Sequence, residues 1–238
     1  MSIWARIGEF VARISVGAAD GVYDLVEAVR TAFAGDPELR RRVAFSVAMI
    51  ALSAKMAKAD GIVTQAEIRA FQDIFSMPPE ERRNVERLYR IAMADTAGFE
   101  IYAERLAGLC GSGRPDCRML EDILDALFHI AKADGLIHEK ELRFLGRIAE
   151  IFSISDRRFE AIVARHVIGE ADPWAVLGLS RDASFPEVRR HYLRLVADNH
   201  PDRMIARGVP QEFVKLANDR MAAFNSAYET IERGRVAA

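Results

Sequence analysis

The chain has 238 residues, half of them hydrophobic and 29% charged, with a formal net charge of −2. That is ordinary globular composition, and the chain is long enough to bury one large core or two small ones. A nearly balanced charge excludes bulk attraction to nucleic acid or to an anionic membrane, so any charged contact must come from a local patch.

Residues 1–38 read as an amphipathic leader helix. Trp4, Ile7, Val11 and Ile14 recur at helical spacing, while Arg6, Glu9, Arg13 and Asp20 interrupt the apolar run. The segment lacks both the roughly 18 apolar residues of a membrane span and the unbroken core of a signal peptide. Its polar face is mixed in sign, which argues for docking on the protein rather than on lipid. The expectation is a soluble, cytoplasmic protein with no transmembrane segment. In that compartment Cys110 and Cys117 are expected to stay free thiols, and their spacing fits neither a Cys-x-x-Cys pair nor a zinc knuckle.

Residues 39–168 contain an internal repeat. "AKADGIVTQAEIRAFQDIFSM" from Ala57 returns as "AKADGLIHEKELRFLGRIAEI" from Ala131, an offset of 74 residues. Apolar helical runs precede the two copies, "VAFSVAMIALSAKM" and "LEDILDALFHI". Each copy predicts a helix hairpin turning at Asp-Gly, and two hairpins pack most simply about a pseudo-two-fold axis.

Gly61 and Gly135 suit the left-handed residue that ends a helix, and Thr64 with Glu67 fits a capping box. Capping does not explain Asp60 and Asp134, because an acid at a helix C-terminus opposes the dipole. Asp60 with Glu67 and Asp134 with Glu141 can converge on a divalent cation, which wants clustered oxygens. Capping and surface solvation are the competing account of the same four residues. A calcium-loop hairpin is excluded by the spacing of the acids. His138 replaces Thr64 of the first copy and reads as a solvated turn residue more readily than as a metal ligand.

The repeat resembles the TerB-like family, all-helical domains of tellurite-resistance and stress-linked proteins. The resemblance covers about residues 40–168 and rests on the duplicated Lys-Ala-Asp-Gly…Glu signature. It implies a compact helical bundle with acidic residues proposed to hold a metal.

Residues 169–238 form a second module. "DPWAVLGL", Asp172 to Leu179, predicts a short helix closed by Gly178. The next helix starts at Ser184, with Glu187 completing a capping box and Pro186 tolerated in the first turn. Val188, Tyr192 and Leu195 mark its buried stripe. It must stop near His200, because the residue before a proline is driven out of the helical region. A loop with Gly208 and Pro210 is expected to follow. The last helix, about 211–233, is expected to bury Phe213, Leu216, Met221 or the stem of Arg220, Phe224, Tyr228 and Ile231.

Two antiparallel helices joined by His200-Pro201-Asp202, with a short helix across them, resemble a J-domain. "DPWAVLGLSRDAS", "EVRRHYLRL" and "FNSAYETI" flank the triplet in family order. A TerB-like module followed by this one resembles the DjlA-type co-chaperones. Those usually begin with a membrane-spanning segment, which the leader does not supply. The Gly/Phe-rich linker and the Cys-x-x-Cys zinc fingers of full DnaJ proteins are also absent from the sequence.

What the resemblance implies is an all-α co-chaperone that docks on an ATP-loaded DnaK-type chaperone and stimulates its ATPase, with client proteins as further partners. Pro201 fixes the chain direction, Asp202 offers a carboxylate suited to a bidentate arginine, and His200 can donate or accept near its natural pKa. Arg189, Arg190 and Arg194 make a basic face that can hold an acidic patch, with ordinary solvated charge as the lesser, competing account of such a face. Leu193 and Asp198 depart from the family, whose members often carry basic residues at those positions. The TerB-like module is expected to target or regulate. The alternative is a metal-responsive stress protein in which that module senses a cation. His129, His138, His166 and His191 have no nucleophile in a recognisable frame, and there is no Gly-rich phosphate loop, so an enzyme is not expected.

Overall fold

The computed structural model describes residues 7–8, 35–60, 79, 82–94, 98–109, 117–166, 171–206, 209 and 211–236. Among these residues every regular element is helical and no strand occurs, as the all-α expectation requires.

Helix α1 (Pro37–Asp60) starts at Asp36, whose Oδ1 accepts from the backbone N–H groups of Glu38 (3.1 Å) and Leu39 (2.9 Å). Pro37 occupies the first helical position, where its missing N–H costs nothing. From Val43 to Ala57 every residue is buried. A helix enclosed on all faces belongs in the middle of a domain, and α1 is packed by α2 (Arg82–Ala94), α3 (Phe99–Leu109), α4 (Arg118–Ala131) and α5 (Glu139–Ile151). Helix α6 (Asp156–His166) closes over α4. Ile7, the described apolar residue of the leader, is fully buried in this first core.

The repeat is visible in the packing. Helices α1 and α4 are the equivalent first helices of the two copies, and they lie against each other. After α4 comes a short 3₁₀ turn, Lys132–Asp134, and Gly135 follows it with φ of 103°, the left-handed conformation that glycine adopts freely. The matching Gly61 turn, Thr64 and Glu67 lie outside the described residues.

The second module is built from α7 (Pro173–Leu177), α8 (Phe185–Asp198), α9 (Pro201–Ala206) and α10 (Val214–Val236), with a 3₁₀ turn at Gln211–Phe213. Asp172 caps α7 through Trp174 N–H (3.2 Å), and Gly178 ends it at φ of 66°. The capping box of α8 forms as the spacing predicts, with Ser184 N–H (2.8 Å) and Oγ (2.6 Å) both donating to Glu187. Val176, Leu177, Val188, Phe224, Ala227 and Ile231 make a second core. Beside it Tyr192 and Tyr228 stack at 4.3 Å, and the Tyr192 hydroxyl donates to Asn225 (2.9 Å).

Two expectations are corrected, and one placement is added to them. The chain after His200 is not simply a loop: the His200 carbonyl accepts from Arg203 N–H (2.9 Å) and Met204 N–H (3.2 Å), so α9 begins at once. A proline that ends one helix is well suited to the first position of the next. Cys117 is not a free thiol but is disulfide-bonded. Finally, Met204, Val209, Phe213, Leu216 and Ala217 do not join the second core. They are buried in the first, where the Phe213 ring meets Phe45 of α1 edge-on at 4.7 Å and 81°. Met204, Val209 and the start of α10 are therefore built into the first core.

Candidate functional site

Helix α8 turns one side to its own core and leaves Arg189, Arg190, Leu193 and Arg194 exposed, with Leu193 51% accessible. This places an apolar side chain within the basic face rather than interrupting it elsewhere. His191, on the inner side, sets its Nε2 3.0 Å from the Leu177 carbonyl, and burial lowers its pKa.

His200 and Asp202 stand out at the end of this face, with side chains 56% and 87% accessible. The Asp202 N–H donates to His200 Nδ1 (3.3 Å), and the Asp202 carboxylate lies 3.6 Å from the ring. The triplet thus offers a proton donor and a carboxylate from one short turn.

What holds that turn is a charged network that crosses between the modules. Arg220, on α10, is 6% exposed. It donates to Asp122 (Nη1, 2.7 Å), to Asp125 (Nε, 3.0 Å) and to the side-chain oxygen of Asn199 (Nη1, 2.8 Å). Asn199 in turn donates to the Leu195 carbonyl (2.8 Å). Asp125 also accepts from Arg165 (2.9 Å) and lies 3.0 Å from His166 Nε2. A second bridge runs alongside: Asp198 accepts from Arg118 of α4 (3.0 Å) and from Arg203 of α9 (2.8 Å). Both flanks of His200-Pro201-Asp202 are therefore tied to α4.

Burial by itself would raise the Asp125 carboxyl, but Arg220, Arg165 and His166 hold it well below the usual carboxylate range. The same carboxylates outweigh burial at Arg220 and raise its pKa. Burial lowers His166, the hydrogen bond and charge of Asp125 opposing it, so the ring is neutral at neutral pH. A lowered folded-state pKa means that the unfolded chain binds the extra proton, so stability falls as pH drops below the unfolded histidine value of about 6.5. We expect thermal stability to decline from pH 7 to pH 5 and the decline to be shallower in His166→Gln; equal slopes in a pH series of melting curves would contradict this.

The acidic residues of the repeat are distributed differently. Glu141 is 2% exposed and accepts from the His138 backbone N–H (2.8 Å) as the third residue of α5, so it caps the helix. The Asp60 and Asp134 side chains and the whole of Glu67 lie outside the described residues. Among the described residues no group of three or more His, Cys, Asp or Glu is placed to hold a metal. The one acid that can be tested is thus accounted for by capping, and no chemistry is routed through a cation here. Glu141→Ala should cost about 1 kcal/mol of stability, equally with and without a chelator; a cost that appears only without chelator would return Glu141 to a metal site.

Comparison with known proteins settles the first module. The family model described as tellurite resistance protein TerB matches residues 46–164, half of the chain. The chain belongs to the TerB family. Beyond the TerB domain, the chain is similar to co-chaperone proteins DjlA. That of Photobacterium profundum is 29% identical over 220 residues, covering 81% of this chain and 78% of the relative. That of Vibrio cholerae is 27% identical, covering 84% and 81%, and that of Salmonella paratyphi A is 25% identical, covering 81% and 80%. No solved structure gives a significant match.

These matches overturn the cytoplasmic location inferred from the sequence. The similarity to DjlA co-chaperones runs over four-fifths of the chain and carries no cytoplasmic assignment, so the charge pattern of the leader is no ground for one. No helix among the described residues is long and apolar enough to cross a membrane, and most of the leader lies outside them.

The buried network was missed by sequence reasoning, although two signals existed. Arg220 occupies an apolar-stripe position of α10, where its stem alone was expected inside; the guanidinium itself is buried. In the TerB domain the 74-residue offset aligns Asp122 and Asp125 with Ala48 and Ala51. Two acids appear where the first copy has alanines, and they are the pair that reaches Arg220.

Proposed function

We propose that this chain is a co-chaperone that presents His200, Pro201 and Asp202 to a DnaK-type chaperone and stimulates its ATPase, while the TerB domain targets or regulates that encounter. The observation that carries the reading is the exposed triplet on a turn anchored at both ends, lying at the end of the basic face of α8. Similarity to DjlA co-chaperones supports the same role.

Arg189, Arg190 and Arg194 would draw an acidic surface toward the turn, with Leu193 adding apolar contact. Asp202 would then accept a bidentate arginine of the chaperone, and His200 would donate from Nε2. In this reading the chain binds and orients, and the bond broken belongs to the ATP held by the chaperone; no catalytic residue is assigned to the chain itself. A cation-sensing TerB domain acting through Asp60, Glu67, Asp134 and Glu141 is the other reading, and no described contact favours it. The test is single-turnover ATP hydrolysis by the chaperone with wild type or His200→Gln added.

A further inference from the structure

We propose that the TerB domain sets the position of His200-Pro201-Asp202 through the buried chain Asp122/Asp125–Arg220–Asn199, making these four positioning residues for the co-chaperone function. The inference rests on that function for its activity readout and on geometry for everything else.

Two carboxylates and a guanidinium, all under 5% accessible as side chains, are removed from water. Such a group generally adds little net stability compared with well-packed apolar residues of the same volume, so a stabilising role explains it poorly. What it supplies is direction. Arg220 is a planar donor that binds both aspartates of α4 on one side and Asn199 on the other. Asn199 is the residue before His200, and its side chain also closes the last turn of α8 on Leu195. The orientation from which the triplet leaves α8 is thus read from α4.

On the far side the same holds. Arg203 meets Asp198 together with Arg118 of α4, and Met204 is sunk into the TerB core. The loop therefore has little freedom that does not involve α4. Any event that shifts α4 moves the docking turn without touching the basic face of α8, which stands on the second core.

Two variants of the full chain separate this role from ordinary stability. Asn199→Ala breaks the link and leaves the Arg220 ion pairs in place; Asp122→Asn weakens the network from the TerB side and leaves the Asp125 bond to Arg220 in place. Two readouts are taken on each: amide exchange across His200–Ala206, and chaperone ATPase stimulation titrated with the variant. We expect exchange in that segment to quicken about tenfold in both variants, with protection of α8 ahead of its last turn unchanged. We expect maximal stimulation to fall about tenfold while the concentration giving half of it stays within about twofold, because the basic face is untouched. Unchanged exchange in His200–Ala206 for both variants overturns the proposal. So does an altered half-saturating concentration with full maximal stimulation. If wild type itself fails to stimulate, the co-chaperone reading falls, and the exchange result still decides whether α4 positions the turn.

Discussion

Arg220→Met is expected to destabilise the protein by about 3–5 kcal/mol, measured by denaturant unfolding. The reason is what the substitution leaves behind. Asp125 retains Arg165 and His166, but Asp122 is 1% exposed and loses the cation 2.7 Å away. A buried carboxylate that loses its cation leaves its charge in a poor medium, and that weakens the fold. Replacing Asp122 as well, in Arg220→Met/Asp122→Leu, should recover much of the loss, because apolar packing then occupies the space in place of a buried carboxylate that has lost its cation. A single variant that costs under about 1 kcal/mol would mean that water reaches Asp122 and that the network is not the buried one described here.

Phe213→Ala is the second large effect, at about 3–5 kcal/mol for a fully buried phenylalanine. Phe213 has no exposed surface and meets Phe45 edge-on. Its consequence is particular to its place. It precedes α10, which belongs mostly to the second core, yet its ring lies in the first. The cavity should therefore loosen the junction between the two cores as well as lower the overall stability. The check is limited proteolysis beside unfolding: Phe213→Ala should open cleavage between α8 and α10, whereas Ile231→Ala, in the second core, should not. Cleavage at the same rate in both would contradict the assignment of Phe213 to the first core.

Much of this architecture is legible in the sequence, because the signals are local. The caps at Ser184 and Glu187, the left-handed glycines at 135 and 178, and the apolar periods of α8 and α10 are each decided by neighbours within a turn or two. The triplet is legible for the same reason, since proline dictates the chain on both sides of it. Its continuation into α9 was harder to read: the proline that stops α8 serves equally as the first residue of a helix, and only the tertiary burial of Met204 decides between loop and helix.

The contacts between modules were not legible. Periodicity states that position 220 of α10 faces inward, but not which module lies there, and an arginine in that place reads as a side chain escaping along its stem. The aspartates at 122 and 125 sit in a helix buried on nearly every side, so no face of α4 looked outward to a partner. Two buried half-networks on separate segments, 95 residues or more apart, become one only when the fold brings them together.

The central claim is that the exposed triplet acts on a DnaK-type chaperone. Single-turnover ATP hydrolysis by that chaperone, with the full chain added as wild type or as His200→Gln, tests it most directly. The account predicts that wild type accelerates hydrolysis and that His200→Gln, a change at a side chain 56% accessible, abolishes the acceleration. Hydrolysis at the same rate with wild type, with His200→Gln and with neither would contradict it.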